Sequence, residues 1–217
     1  MPDSTKINPS ASPVRAGNFS TIVLAVIWLA LALGGTWILM AYANTPSAPG
    51  EPPAIWPKSS ALQPPTNGHP ALVMFVHPHC PCSRATIGEL GLLMAHCQGR
   101  VRADVYFLRP AAMSEEWVNT DLWRDASHIP GVTVHRDDDG REAHIFGSET
   151  SGDTRLYSPA GELLFNGGIT SARGHSGDNA GRDAIEALLS GQLISQKQIQ
   201  TRVFGCSLFE CSATTNQ

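Results

Sequence analysis

Charge is scarce in this chain: Asp, Glu, Lys and Arg make up 16% of 217 residues against 42% hydrophobic ones, with a formal net charge of −4. With 15 basic and 19 acidic side chains, the sequence lacks the clustered positive charge of a nucleic-acid binder, yet it is too apolar to be disordered by composition. No internal repeat with a period of about 20–50 residues is visible, which removes solenoids and propellers. The stretch from Gly167 to Asn179 lacks the Gly-Lys-Ser/Thr ending of a phosphate loop, and Gly174-His175-Ser176-Gly177 lacks nucleophile-elbow spacing. It reads as a polar loop closing on an Asp178 or Asn179 helix cap, or as a cover that brings Arg173 and His175 over a site. Asp137 to Asp139 lacks the spacing of a Ca²⁺ loop and reads as a solvated turn.

What is present is unevenly distributed. Thr21 to Ala43 contains no charged residue, and as a helix those 23 residues would reach about 34 Å, enough for the ~30 Å hydrocarbon core of a bilayer. Lys6 and Arg15 precede it, whereas the first basic residue after it is Lys58. That asymmetry predicts residues 1–20 in the cytoplasm, 21–43 as a single inner-membrane span, and the remainder in the periplasm. The competing reading is a cleaved signal peptide, since Ala41-Tyr42-Ala43 has the small-x-small form of a cleavage site. Residues 44–68 hold seven of the sixteen prolines and predict an extended, semi-rigid spacer.

The globular domain is expected over residues 69–217. Ala71 to Val76 reads as a buried strand, followed by His77-Pro78-His79-Cys80-Pro81-Cys82 and a helix to about Cys97 with Ile87, Leu90, Leu93 and Met94 on one face. Val101 to Leu108 predicts a second strand. Ser114 predicts the cap of a helix carrying Trp117 and Trp123. Val132 to Arg136 predicts a third strand, then a short helix ends at Phe146-Gly147. Thr154 to Tyr157 and Glu162 to Phe165 predict a hairpin, and Ala180 to Leu189 a last helix. This order calls for an α/β three-layer sandwich: a mixed sheet with helices on both faces, its first strands parallel and its last two antiparallel. Sites in such sheets lie at strand C-termini, where His77 to Cys82 sits.

At a helix N-terminus, unpaired N–H groups and the dipole stabilise a thiolate at Cys80 or Cys82, and Arg84 in the first turn adds positive charge. The rival chemistry is a metal. His77, His79, Cys80 and Cys82 supply two imidazoles and two thiolates within six residues, a soft set suited to copper(I) or zinc. A purely structural Cys80–Cys82 disulfide would constrain very little chain.

From Phe75 through Cys82, and in the hairpin from Leu156 to Phe165, the sequence resembles the thioredoxin-like superfamily, over about residues 70–191. With its anchor and Pro-rich spacer the layout is similar to membrane-tethered periplasmic thiol–disulfide oxidoreductases of cytochrome and oxidase maturation, and to a bacterial subgroup labelled RedB. The resemblance implies Cys80 as the exposed attacking thiol and Cys82 as its resolver, acting on protein thiols and disulfides with no cofactor. Two departures stand out. Only Pro81 separates the cysteines where the family has two residues, so their disulfide is more strained and more readily reduced. The family's cis-proline before the fourth strand has no counterpart, since Asp153-Thr154 stands there, and Ile129-Pro130 lies one strand too early.

In the family that proline keeps metals off the cysteines, so its loss opens the alternative of a non-enzymatic copper-binding assembly factor. Copper-delivery relatives add a histidine shortly before the fourth strand. Here residues 148–153 hold none, leaving His144 or His175 to fold back. Asp153 near the pair would raise the thiol pKa. A peroxidase reading lacks its Thr-x-x-Cys approach to the nucleophile.

Five cysteines leave an odd one. Cys97 ends an apolar helical face and reads as a small buried hydrophobe. Cys206 and Cys211 lie beyond the last helix, where they either close a structural disulfide of their own or bring Cys206 to the active edge as a third thiol.

Overall fold

A computed structural model describes residues 17–48, 50–65, 68–192, 195 and 199–209; Cys211 lies outside them. The chain divides into two compact units, Met1–Ala41 and Tyr42–Gln217. In the first, helix α1 (Gly17–Asn44) begins. Its Leu24, Trp28, Leu31, Trp37 and Leu39 are all exposed, and its Phe19–Asn44 portion is long and apolar enough to cross a membrane, a criterion that a signal sequence also meets.

In the second unit, β1 (Ala71–Val76), α2 (Ser83–His96), β2 (Arg102–Arg109), α3 (Asp121–Ser127), β3 (Val132–Asp138), α4 (Arg141–Ile145), β4 (Asp153–Tyr157), β5 (Leu163–Gly167) and α5 (Ala180–Leu189) follow in order. They form one five-stranded sheet, β3-β2-β1-β4-β5. β1, β2 and β3 are parallel, while β4 runs antiparallel to both β1 and β5. Every residue of the central strand β1 is buried, as its unbroken apolar run requires of a strand covered on both faces. Leu72, Met74 and Val76 face a core with Ile87, Leu90, Leu93, Leu122 and Ile185 from α2, α3 and α5. The alternate residues Val73 and Phe75 face a second core with Tyr106, Phe146, Tyr157, Trp56 and Leu208. The sheet is therefore the middle of three layers. Cys97 lies in the first core, fully buried, and burial pushes its thiol pKa up.

Four expectations are corrected. Residues 50–65 do not form a free spacer but dock along the domain. Trp56 is buried edge-on to Phe146 and Tyr157, its N–H donates to the Gly161 carbonyl at 2.7 Å, and Ser60 Oγ donates to Glu142 at 2.6 Å. One large aromatic facing a shallow apolar layer is enough to bind the segment down. The helix expected after Ser114 splits into a single 3₁₀ turn, Glu115–Trp117, and α3, because Thr120 caps a new start by accepting the Trp123 N–H. Asp137 is not solvated: it is buried, and its carboxylate accepts the N–H groups of Glu142 and Ala143 at 2.8 and 2.9 Å, capping α4. The start of the Gly-rich loop is core, since Ile169 is fully buried. At the loop's end Asn179 does cap α5, its side chain accepting the Arg182 N–H at 2.8 Å.

Candidate functional site

Where β1 hands over to α2, the Cys80 N–H donates to the His77 carbonyl at 3.0 Å and the Ser83 N–H to the Cys80 carbonyl at 3.1 Å. Cys82 is the N-terminal cap residue, already helical in φ and ψ, with no side-chain bond of its own to the helix. Both cysteines therefore sit at the N-terminal, positive end of the α2 dipole.

A third sulfur joins them from the far end of the chain. Cys206 Sγ lies 2.8 Å from Cys80 Sγ, and the sulfurs of Cys80, Cys82 and Cys206 all lie within 4.8 Å of one another. The segment that brings Cys206 runs antiparallel to the residues before β4. The Ser151 N–H donates to the Cys206 carbonyl and the Leu208 N–H to the Glu149 carbonyl, both at 2.8 Å, and Leu208 is buried in the second core. Gly205 permits the approach, because a Cβ there would stand 1.9 Å from the Ser151 carbonyl oxygen. The Gly205 carbonyl accepts from Ser47 Oγ at 2.5 Å and from Arg173. Arg173 also donates to Ser47 Oγ at 2.8 Å.

This cover changes the expected exposure. Cys80 is only 2% exposed, so it is not the open thiol of the pair; Cys82 and Cys206 are the partly exposed ones. The Cys206 thiol, donating to Cys80, pulls the Cys80 pKa down to about 4, with help from Ser83 and against burial. Cys82 moves the other way. Burial and the neighbouring Cys80 charge raise its pKa, while the Arg173 guanidinium partly opposes them.

Ser151 ties the site together. Its Oγ accepts the buried His77 N–H at 2.8 Å and lies 2.7 Å from Ser83 Oγ, linking β1, α2 and the C-terminal segment. The signal for it was positional: a small polar residue just ahead of β4 must face the end of β1 in this topology.

The other anticipated residues take different places. His77 Nδ1 accepts the His79 N–H at 3.2 Å, and burial lowers the His77 pKa although the Cys80 charge opposes it. His79 Nε2 lies 2.9 Å from the Trp117 carbonyl, and both rings pack on Trp117. Among the described residues the cluster of potential metal donors is the three cysteines, without either histidine. Arg84 pairs with Asp121 across the surface. Asp153 is opposite Phe75 in register, so its side chain lies on the sheet face away from α2. There Arg155 and Ser148 bond it, and burial raises its own pKa. Thr154 Oγ1 donates to the Gly152 carbonyl at 3.2 Å. Of Arg173 and His175, only Arg173 reaches the thiols; His175 is exposed, its N–H on the Ala172 carbonyl. No cis peptide bond occurs among the described residues.

No protein-family model matches the chain, and no curated protein matches it. Among solved structures, it is similar to a hypothetical protein of Sinorhizobium meliloti at 18% identity and a TM-score of 0.59, over 75% of this chain and 98% of the other. It is similar also to an uncharacterized conserved protein of Geobacillus kaustophilus at 16% identity and a TM-score of 0.52, over 76% of this chain and 92% of that one. An exposed lipoprotein thioredoxin of Streptococcus pneumoniae follows at 16% identity and a TM-score of 0.42, over 57% and 85% of the two chains. The sheet order and strand directions are those of a thioredoxin-like fold.

Proposed function

We propose that the chain is a membrane-tethered, extracytoplasmic thiol–disulfide oxidoreductase acting on protein thiols and disulfides through Cys80 and Cys82. The observation that supports it best is a sulfur at a helix N-terminus, ionised down to about pH 4, with further thiols within 4.8 Å. Only a thiolate attacks a disulfide, and only a nearby second thiol turns one attack into a two-electron exchange.

A partner disulfide enters where Cys82 and Cys206 are partly exposed. The Cys80 thiolate attacks one sulfur of a partner disulfide, forming a mixed disulfide and releasing the other partner sulfur as a thiolate that takes up a proton. Cys82 then loses its proton, with Arg173 stabilising the charge, and attacks Cys80 Sγ. A Cys80–Cys82 disulfide forms and the partner leaves reduced; run backwards, the same steps oxidise a dithiol partner. The strained single-residue ring favours that reverse direction. In a Cys82→Ala, Cys206→Ala double variant of the full chain, a covalent partner adduct on Cys80 should accumulate, visible as a reductant-sensitive higher-mass band. A Cys80→Ala variant should give none. Absence of an adduct in both overturns the reading.

A second reading, copper(I) binding, is favoured by three sulfur donors within 4.8 Å, a soft set that Cys80, Cys82 and Cys206 would supply. Metal–sulfur bonds of about 2.3 Å space two donors roughly 3.8 Å apart, so Cys80 and Cys206 would have to part by about 1 Å. Copper content of the purified reduced protein decides. Near-stoichiometric copper lost in Cys80→Ser, Cys82→Ser supports binding, and turnover of a disulfide substrate in excess chelator supports exchange.

A further inference from the structure

Cys206 forms no covalent bond in the exchange just described, yet its sulfur lies at hydrogen-bond distance from Cys80. At 2.8 Å the two need to close by less than 1 Å to reach a bond of about 2.0 Å. We propose that Cys206 is a second resolving thiol for Cys80, so that the site passes its oxidising equivalent between a Cys80–Cys82 and a Cys80–Cys206 disulfide. This rests on the thiol-exchange reading and adds a third catalytic residue to it.

Two features favour Cys206 over Cys82 as the resolver. Cys82 is one residue from Cys80, and a disulfide across Pro81 must distort to close. Cys206 lies 126 positions away in sequence, but the fold has already brought it into place. Ser151 holds its carbonyl, Arg173 and Ser47 hold the Gly205 carbonyl before it, and the buried Leu208 anchors the chain after it. Attack by a prepositioned group avoids most of the entropy of bringing two reactants together.

The steps balance. In the first, Cys80 carries a partner sulfur as a mixed disulfide. Cys206 loses a proton and attacks Cys80 Sγ; the Cys80–Cys206 bond forms, the Cys80–partner bond breaks, and the partner leaves as a thiolate that is reprotonated. If Cys80–Cys82 has formed first, Cys206 attacks Cys80 in the same way. Cys82 is then released as a thiolate beside Arg173, and no electrons are gained or lost. The product in either case pins the C-terminal segment over the sheet edge and leaves Cys82 reduced.

Oxidised glutathione tests the proposal on the full chain in detergent, in a Cys211→Ser background that leaves Cys206 as the only tail thiol. With Cys82 also replaced by Ser, reduced protein should release both halves of the oxidant as glutathione thiol. Tryptic digestion should join the peptide of Cys80 to that of Cys206. With Cys82 and Cys206 both replaced, and the reaction run above the ordinary thiol pKa of 9.0 so that Cys80 ionises without the Cys206 hydrogen bond, one glutathione should stay on Cys80 as a stable adduct. A stable adduct in the single Cys82→Ser variant, matching the double one, overturns the role of Cys206 while leaving exchange at Cys80 intact. No adduct in the double variant overturns the underlying thiol-exchange reading instead.

Discussion

The most consequential residue is Cys206, because the low Cys80 pKa depends first on its donated hydrogen bond. A group whose folded pKa is depressed stabilises the fold fully above its ordinary value, here 9.0, and loses that contribution as pH falls toward about 4. Cys206→Ala removes the leading cause and leaves burial to oppose Ser83. The Cys80 ionisation midpoint should therefore rise toward the ordinary thiol value, and the pH window of added stability should shrink from its acid end. The rate of iodoacetamide labelling at Cys80 against pH, in a Cys82→Ser background, measures this; an unchanged midpoint would show that the helix N-terminus alone sets the thiolate. Cys80 and Cys82 were legible in the sequence because a chemical cluster sat at a strand-to-helix junction. The approach of Cys206 was open only as one of two alternatives, since nothing local links residues 126 positions apart. Asp153 was misjudged by one register position: its neighbour Thr154 faces α2 with Met74, whereas Asp153 shares the face of Phe75.

At the level of elements, apolar pattern was enough to place β1, β2 and α2, because β1 and β2 are buried almost throughout and α2 buries Ile87, Leu90, Leu93 and Met94 on one face. It failed where a single residue overrides composition. Thr120 restarts a helix, Asp137 turns inward to cap α4, and Trp56 converts a proline-rich stretch from spacer to packed layer. That last case has a measurable consequence. In a free tether Trp56→Ala would be silent, whereas loss of a large buried aromatic costs about 3–5 kcal/mol. Urea unfolding of the full chain in detergent should show an unfolding free energy lower by that amount, and a change within about 0.5 kcal/mol, the usual range for exposed positions, would mean the segment is not packed in solution. Because Tyr157 donates to the Pro53 carbonyl at 3.0 Å, Tyr157→Phe should weaken the same attachment by about 1 kcal/mol, the usual worth of one hydrogen bond.

For the whole molecule, the chemistry proposed for the domain and the composition of its N-terminal helix place a joint demand on compartment. Disulfides that form and are exchanged need an oxidising space, and cytosolic glutathione and thioredoxin would hold all these thiols reduced. The apolar length of Phe19–Asn44 suffices for one crossing, and Lys6 and Arg15 ahead of it would bias that end toward the cytoplasm in the proposed arrangement. Compartment and orientation thus make one testable statement. Alkaline phosphatase, active only where its own disulfides form, should be active when fused after Gln217 in a bacterial host and inactive when fused before Thr21. Replacing Lys6 and Arg15 with Glu should lower the C-terminal activity by weakening the charge bias. Removing residues 21–43 should abolish it. If the C-terminal fusion is inactive in the intact chain, the domain lies in the cytosol, and a Cys80–Cys206 disulfide would exist there only as a transient.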